Sequence, residues 1–185
     1  DCGFDLVGGD VEVVPTAHYM MGGVEFNADC STAIIGLYAA GEDTGGVHGA
    51  NRLGGNGVGN STVFGGLAGD AMAKWVPLEG EWRDPDLAAI DAALASCHHP
   101  FANKPGNLES IREDMFEFMW DDAGILRDAD SLTRATCKLT DLETNLDQLG
   151  VDGTSIAYNL TWHDWMNLKN LILVSRSIVK AAEAR

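Results

Sequence analysis

An alternating three- and four-residue spacing of apolar side chains in the second half of the chain constrains the fold most. It lies in the segment 130–150, "DSLTRATCKLTDLETNLDQLG". In a helix of 3.6 residues per turn, such positions share one face. We therefore predict an amphipathic helix with Asp130 as its N-cap and Gly150 as its end. Its buried face is expected to hold Leu132, Ala135, Leu139, Leu142, Leu146 and Leu149.

Three other segments after residue 84 show a helical spacing of apolar side chains. They are 85–97, 107–124 and 161–184, and the second of them has Asn107 as a natural N-cap and Gly124 as a natural end. Helices of this kind bury their apolar faces against antiparallel neighbours. We therefore predict a C-terminal antiparallel bundle of three or four helices.

The first part of the chain has a different composition, because it holds most of the 22 glycines. Its short apolar runs at 11–15 and 33–41 are bounded by turn residues and are predicted to be strands. The segment 61–75 spaces small and apolar residues at helical intervals and is predicted to be a helix that follows the glycine loop directly. The fold class is thus mostly α, with a short β, loop and helix piece before the bundle.

Charge and composition exclude several classes of function. With 28 acidic and 12 basic residues, the chain is a poor partner for nucleic acid or for an anionic membrane surface. No apolar run reaches the roughly 18 residues of a membrane-spanning helix, so no direct membrane insertion is expected. The four cysteines form no CxxC pair, and no metal site is predicted. Reduced, buried cysteines are the simpler interpretation, and the even count leaves a disulfide open.

Residues with possible chemical roles concentrate beside the glycines. Arg52 lies in "VHGANRLGGNGVGN", and a guanidinium is the natural partner of a carboxylate. His18 precedes a Gly-Gly pair, and glycines let a ligand approach the backbone. Glu42 ends "GLYAAGE", directly after the run 33–41, where an acidic side chain could accept hydrogen bonds from ribose hydroxyls. A structural histidine, a solvated arginine and a plain exposed glutamate are the alternatives from the residues alone.

Several motifs together resemble one family. "HYMMGGV", "GLYAAGE", "VHGANRLGGN" and "VFGGLAG" occur in this order, followed by "WHDWMNLKNLILVSRSIVKAAEAR". This set is similar to the flavoprotein subunit of succinate dehydrogenase and fumarate reductase. The resemblance covers nearly the whole chain but only the last part of the family's protein. It therefore predicts a C-terminal segment of an FAD-binding domain at 1–75, a connector at 76–84 and a helical C-terminal domain at 85–185.

The resemblance also implies roles for individual residues. His18 and Arg52 would hold a dicarboxylate, succinate or fumarate, and Glu42 would contact the FAD ribose. The backbone of Asn56, Gly57 and Val58 would lie against the flavin ring. The family usually has Asn-Ser-Leu at these last positions, so a hydroxyl contact is not expected here. The dinucleotide fingerprint and the proton-transfer arginine belong to parts that this sequence does not contain. No catalytic residue is therefore assigned, and the isolated chain is expected to be inactive.

Partners and alternatives follow from the same resemblance. An iron–sulfur subunit is the expected partner of the parent protein, which would be cytoplasmic or held at the cytoplasmic face of a membrane by partner subunits. Within the family, an aspartate oxidase-like enzyme or another FAD-dependent dicarboxylate oxidoreductase is an alternative to succinate–fumarate interconversion. Outside it, the alternative is a non-catalytic interaction or structural module, in which the helical bundle carries a glycine-rich appendage.

Overall fold

The computed structural model describes residues 3, 5, 7–9, 11 and 18–184. The chain divides into two compact units, Asp1–Asp84 and Pro85–Arg185. Within the described residues, extended structure is limited to isolated bridges, so the fold is mostly α as predicted. The helices are α1 (Asn56–Glu79), α2 (Leu87–His98), a 3₁₀-helix (His99–Ala102), α3 (Leu108–Ala123), α4 (Ala129–Gln148) and α5 (Leu160–Glu183).

The second unit is built around a bundle of α3, α4 and α5, each of which contacts the other two. The apolar repeat predicted for α4 forms the centre of its core. Leu132, Ala135, Leu139, Leu142 and Leu146 are buried, and Leu149 is partly buried. The α5 side chains Trp165, Leu168, Ile172 and Val179 complete this core from the opposite side.

The predicted N-cap of α4 is wrong by two residues. Asp128 caps the helix, because its carboxylate accepts the Ser131 backbone N–H at 2.8 Å while the Ser131 hydroxyl accepts the Asp128 backbone N–H at 2.9 Å. This reciprocal pair satisfies two donors at once, and Asp130, inside the first turn, has no such partner three residues on. The prediction for α3 is confirmed, since the Asn107 carboxamide oxygen accepts the Ser110 N–H at 3.2 Å and the helix ends before Gly124.

Gly150 is required by a close backbone approach rather than as the end of α4, whose C-cap is Leu149. The Gly150 N–H donates to the Lys104 carbonyl at 2.8 Å, and Gly150 forms a bridge with Pro105. A Cβ at Gly150 would overlap the carbonyl group of Asn103. Glycine is therefore needed here so that two backbones can meet.

Helix α2 does not join the core, so the bundle has three helices rather than four. Its predicted apolar stripe stays exposed, with Leu87 69 %, Ile90 43 % and Leu94 53 % accessible. The Asp86 side chain caps the helix by accepting the N–H groups of Ala88 and Ala89. The spacing therefore predicted the helix correctly, whereas burial of its face depends on a neighbour that the bundle does not supply.

The first unit contains α1 and the loops that pack on it. The strand predicted at 33–41 is wrong. The Ala39 N–H donates to the Cys30 carbonyl and the Thr32 N–H to the Leu37 carbonyl, both at 3.0 Å, so the chain turns back on itself at Ile34 and Ile35. The strand predicted at 11–15 lies almost wholly outside the described residues. Helix α1 begins inside the glycine loop and extends through residues 76–79 of the predicted connector.

Contacts from the loops fix one face of α1. The Phe26 and Phe64 rings meet edge to face at 5.5 Å, and the buried Cys30 thiol donates to the Phe64 carbonyl at 3.4 Å. Burial raises the pKa of the Cys30 thiol and keeps it protonated. The expectation of buried cysteines fails at Cys97, which is only partly buried, and at Cys137, which is exposed, while Cys2 lies outside the described residues. None of the helices in the described part of the chain combines the length and apolar character that crossing a bilayer requires.

Candidate functional site

A cleft in the first unit brings together four of the residues singled out from the sequence. His18, Arg52, Gly57 and Val58 all line it, and its volume is about 520 Å³. The other lining residues are Tyr19, Gly55, Ser61 and Thr62. The lining therefore combines an imidazole and a guanidinium with the beginning of α1.

The beginning of α1 offers the cleft a helix end without a side-chain cap. Gly55 is the N-cap residue in the left-handed region, at φ 84°, and it provides no side-chain acceptor. Asn56, Gly57 and Val58 form the first turn of the helix, not the loop before it, and no acidic residue lies in that turn. The Val58 side chain is 77 % exposed. Backbone N–H groups at such an end, together with the positive pole of the helix, attract an anion or an electron-rich ring.

Arg52 presents its guanidinium beside this helix end. Its Cζ lies 4.4 Å from the centroid of the Tyr19 ring, within the range of a cation–π contact. One terminal nitrogen, Nη1, donates to the carbonyl of Leu53 at 3.2 Å. The buried Nε has no hydrogen-bond partner among the described residues. A guanidinium carries five N–H donors, so this one retains donors for a ligand.

Tyr19 is in turn held by two side chains that the sequence reasoning missed. The Tyr19 hydroxyl lies 3.2 Å from the Asn60 carboxamide nitrogen. The Tyr19 and His48 rings meet edge to face, with their centroids 5.4 Å apart. Asn60 is 5 % exposed, and the same nitrogen donates to the Gly41 carbonyl at 3.1 Å and approaches His48 Nε2 at 3.2 Å. Tyr19, His48 and Asn60 all lie in or beside the motifs that suggested His18 and Arg52, which was the available signal.

Glu42 is placed apart from the lining of the cleft. Its carboxylate accepts the backbone N–H of Met20 at 2.9 Å and the residue is otherwise exposed. That bond ties the end of the run 33–41 to the segment that carries His18 and Tyr19. The structure thus brings His18 and Arg52 into one cleft but leaves Glu42 beside it.

Gly57 packs directly against the Tyr19 ring, which explains why a residue without a side chain stands there. A Cβ at Gly57 would lie 2.8 Å from Tyr19 Cε2, closer than van der Waals contact permits. A Cβ at Gly59, two residues later in the same helix, would meet nothing within 4 Å. These two glycines therefore form a matched pair for testing the contact.

We expect Gly57→Ala and Gly59→Ala to change the stability of α1 in opposite directions. Alanine in place of glycine favours a helix by about 0.5–1 kcal/mol, which Gly59→Ala should gain in full. At Gly57 the overlap with Tyr19 should cost about 1–3 kcal/mol and outweigh that gain. Hydrogen exchange of the α1 amides should be slower than wild type for Gly59→Ala and faster for Gly57→Ala. Equal protection in the two variants would contradict the close contact.

A smaller cleft of about 280 Å³ lies in the second unit and offers a ligand little. Its polar groups are already paired, with Lys169 Nζ 2.6 Å from Asp147 Oδ1 and His99 Nε2 2.9 Å from the Asp147 carbonyl. Across residues 18–184 and the few described before them, no three His, Cys, Asp or Glu side chains gather as metal ligands would. The cleft of the first unit is therefore the candidate site.

Comparison with known proteins matches both units to the parts of one kind of enzyme. Residues 9–58 match the family described as FAD binding domain, and residues 112–185 match the family described as fumarate reductase flavoprotein C-term. An uncharacterised FAD-dependent oxidoreductase of Methanocaldococcus jannaschii is 37 % identical over 97 % of this chain and 32 % of its own length. The 8-methylmenaquinol:fumarate reductase flavoprotein subunit of Wolinella succinogenes is 34 % identical over 98 % of this chain and 30 % of its own.

A solved structure leads to the same family. Escherichia coli quinol fumarate reductase superposes with a TM-score of 0.82 at 33 % identity, over 99 % of this chain and 32 % of that one. The chain thus spans about a third of the length of the relatives it matches. With residues 9–58 and 112–185 matched to an FAD-binding domain and to the C-terminal part of a fumarate reductase flavoprotein, the chain belongs to the succinate dehydrogenase and fumarate reductase flavoprotein family, of which it is a C-terminal portion.

Proposed function

We propose that this chain is part of an FAD-dependent oxidoreductase that interconverts succinate and fumarate by hydride transfer, and that it supplies the dicarboxylate clamp. One observation carries the proposal: His18 and Arg52 line the same cleft as the uncapped beginning of α1. Cationic and hydrogen-bonding side chains suit a carboxylate, and a bare helix end suits an electron-rich ring. Their juxtaposition fits an enzyme that holds a small diacid against a flavin.

The clamp would work through charge and orientation. The Arg52 guanidinium is desolvated on one face by the Tyr19 ring and keeps unused donors, so it would pair with one substrate carboxylate through two parallel hydrogen bonds. The exposed imidazole of His18 would hydrogen-bond the same substrate in the same cleft. In an otherwise acidic chain, these groups provide a local site for an anion. Polarising the carboxylates of fumarate makes its double bond more electrophilic, which favours hydride addition.

The residues at the beginning of α1 fit a flavin. Gly55 and Gly57 leave the backbone accessible from the cleft, and the first turn has neither a capping side chain nor an acidic residue. Of Asn56, Gly57 and Val58, the last two line the cleft and would hold the ring through their backbone groups, whereas the Asn56 N–H already donates to the Leu53 carbonyl at 3.2 Å. Glu42, with one oxygen bonded to the Met20 N–H, would use its other oxygen for the ribose. FAD, when bound, supplies the hydride acceptor or donor, while the protein orients the substrate and excludes competing groups.

The wider assignment has the same basis. We propose that 1–75 belongs to the FAD-binding domain, that 76–84 connects it to the rest and that 85–185 is the helical C-terminal domain. The Wolinella relative is named as a flavoprotein subunit, which supports a partner in a complex, and we propose an iron–sulfur subunit. Such an assembly would be cytoplasmic or held at the cytoplasmic face of a membrane by its other subunits.

The test is Arg52→Ala in a flavoprotein of the relatives' length that contains this chain. A hydrogen bond to a charged group contributes about 1.5–3 kcal/mol. We therefore expect kcat/KM for fumarate reduction, with a reduced dye as donor, to fall roughly 10- to 150-fold. The matched control is Arg83→Ala, since Arg83 is 82 % exposed and only 3.9 Å from Glu81, and it should leave the rate unchanged. Full activity of Arg52→Ala would refute the clamp.

A further inference from the structure

We propose that Tyr19 is the positioning residue of the dicarboxylate clamp: it orients the Arg52 guanidinium, and Asn60 fixes Tyr19 from inside α1. The inference rests on the proposed function, in which Arg52 binds a substrate carboxylate. It assigns to Tyr19 and Asn60 no contact with the substrate. Both act through Arg52.

The Arg52 guanidinium lies over the face of the Tyr19 ring, with Cζ 4.4 Å from the ring centroid. Hydrogen bonds to a carboxylate leave a guanidinium through its edge and in its plane, so a stacked face does not compete with them. An arginine side chain has large rotamer freedom, which binding would otherwise have to restrict. The stack removes part of that freedom before the substrate arrives.

Arg52 has little other support within the described residues. Its guanidinium donates only to the carbonyl of Leu53, its immediate neighbour in sequence, and no salt bridge holds it there. A bond to the next residue moves with the loop and does not define the orientation of the guanidinium relative to α1. Tyr19 does define it, because Tyr19 is attached to α1.

Tyr19 is attached to α1 through Asn60. Asn60 is 5 % exposed and lies in the second turn of α1, and its carboxamide nitrogen is 3.2 Å from the Tyr19 hydroxyl. The same nitrogen donates to the Gly41 carbonyl, so it anchors the loop before the cleft as well. Gly57 lets the ring lie against the helix, and the His48 and Tyr19 rings meet edge to face. Three contacts thus restrain the ring over which Arg52 lies.

The experiment measures binding of malonate to the flavin-loaded protein of the relatives' length. Malonate is a dicarboxylate with a single methylene carbon, so it has no CH2–CH2 bond that could be desaturated. Tyr19→Leu removes the stacking ring and should raise the malonate Kd roughly 3- to 30-fold. KM for fumarate should rise by a similar factor, with a smaller change in kcat. Tyr19→Phe keeps the ring and loses only the bond to Asn60, so it should recover most of the affinity. Asn60→Ala loses the same bond and also the bond to the Gly41 carbonyl, so it should weaken malonate binding more than Tyr19→Phe does, and wild-type affinity in Asn60→Ala would refute the role given to Asn60.

A double-mutant cycle distinguishes positioning from a general structural role. In an Arg52→Ala background, Tyr19→Leu should have no further effect on the malonate Kd, because the group on which Tyr19 acts is absent. An equal additional loss in both backgrounds would overturn the proposal. If Tyr19→Leu fails to retain flavin, Asn60→Ala releases the ring without removing it and should weaken malonate binding in the same direction.

Failure of this inference and failure of the proposed function give different results. If Arg52→Ala weakens malonate binding while Tyr19→Leu and Asn60→Ala bind it as tightly as wild type, the clamp stands and the positioning role is refuted. If Arg52→Ala itself binds malonate normally, the clamp is refuted and the positioning role falls with it.

Discussion

Replacing Trp165 with alanine should lower the free energy of unfolding of the unit Pro85–Arg185 by about 3–5 kcal/mol. The Trp165 side chain is 1 % exposed and lies among the core residues of α3, α4 and α5. Its indole N–H donates to the Leu146 carbonyl at 3.0 Å, in the last turn of α4. The substitution therefore creates a large cavity and removes one of the two hydrogen bonds that the Leu146 carbonyl accepts, the other coming from the Leu149 N–H at 3.0 Å. The cavity accounts for most of the expected loss.

The measurement is urea unfolding followed by circular dichroism, with hydrogen exchange of the α4 and α5 amides to confirm which unit opens. Trp165→Phe keeps most of the volume and loses the indole N–H, so it should cost less than Trp165→Ala. The matched control is Trp120→Ala, because Trp120 on α3 is 59 % exposed and should change stability by less than about 1 kcal/mol. Equal losses for Trp165→Ala and Trp120→Ala would show that the core is not organised around Trp165.

Replacing Asp122 with alanine should lower the free energy of unfolding of the same unit by about 2–4 kcal/mol at pH 7. Asp122 is 4 % exposed in the last turn of α3, where a negative charge opposes the helix dipole. It is stabilised by two residues of α4: Arg134 donates to Oδ1 at 2.8 Å and Lys138 to Oδ2 at 2.8 Å. Both cations are about half exposed and regain water when Asp122 is removed, which keeps the loss toward the lower part of the range.

The contacts of Asp122 with Arg134 and Lys138 also predict that the stability of this unit depends on pH. The hydrogen bond from Lys138, followed by the bonds and charge of Arg134, holds the pKa of Asp122 below its ordinary value even though burial acts to raise it. A carboxylate with a lowered pKa in the folded state contributes stability above its unfolded pKa, about 3.9. That contribution is lost as the pH falls through the folded pKa. The stability difference between wild type and Asp122→Asn should therefore be full at pH 7 and shrink below about pH 4.

Urea unfolding of wild type, Asp122→Asn and Asp122→Ala between pH 7 and pH 3 tests both statements. Asp121→Ala is the matched control, because Asp121 is the adjacent residue in the same turn and is exposed. It should leave the stability nearly unchanged at every pH. A difference between wild type and Asp122→Asn that stays constant down to pH 3 would contradict the role given to the paired carboxylate.

The helices of the second unit could be predicted because their signals are local. Apolar spacing places side chains on one face whatever surrounds the helix, and the Asn107 cap needs only the three residues that follow it. The errors arose where two local solutions compete. Asp128 and Asp130 are both good capping residues, and only the reciprocal bond between Asp128 and Ser131 distinguishes them. In the run 33–41, β-branched residues suggested a strand, whereas two backbone bonds to Cys30 and Leu37 close a turn.

The candidate site was predictable residue by residue but not as an arrangement. Glycines beside His18 and Arg52 indicated that a ligand could approach each of them. That the two line one cleft with the first turn of α1 depends on how residues 18–53 pack on that helix. The support from Tyr19 and Asn60 joins residues 41 positions apart, and no spacing rule along the chain reports such a contact.

By itself, the sequence determined the mostly α fold, the helices α3 to α5 with their buried faces, and the family. These depend on periodicity and on motifs that are contiguous in the chain. Only the tertiary structure decided that the face of α2 stays outside the core, that Gly150 serves a backbone contact, that Asp122 is buried between cations and that Gly57 accommodates the Tyr19 ring. Each of these depends on atoms brought together from distant positions, and their distances are set by packing rather than by local preference.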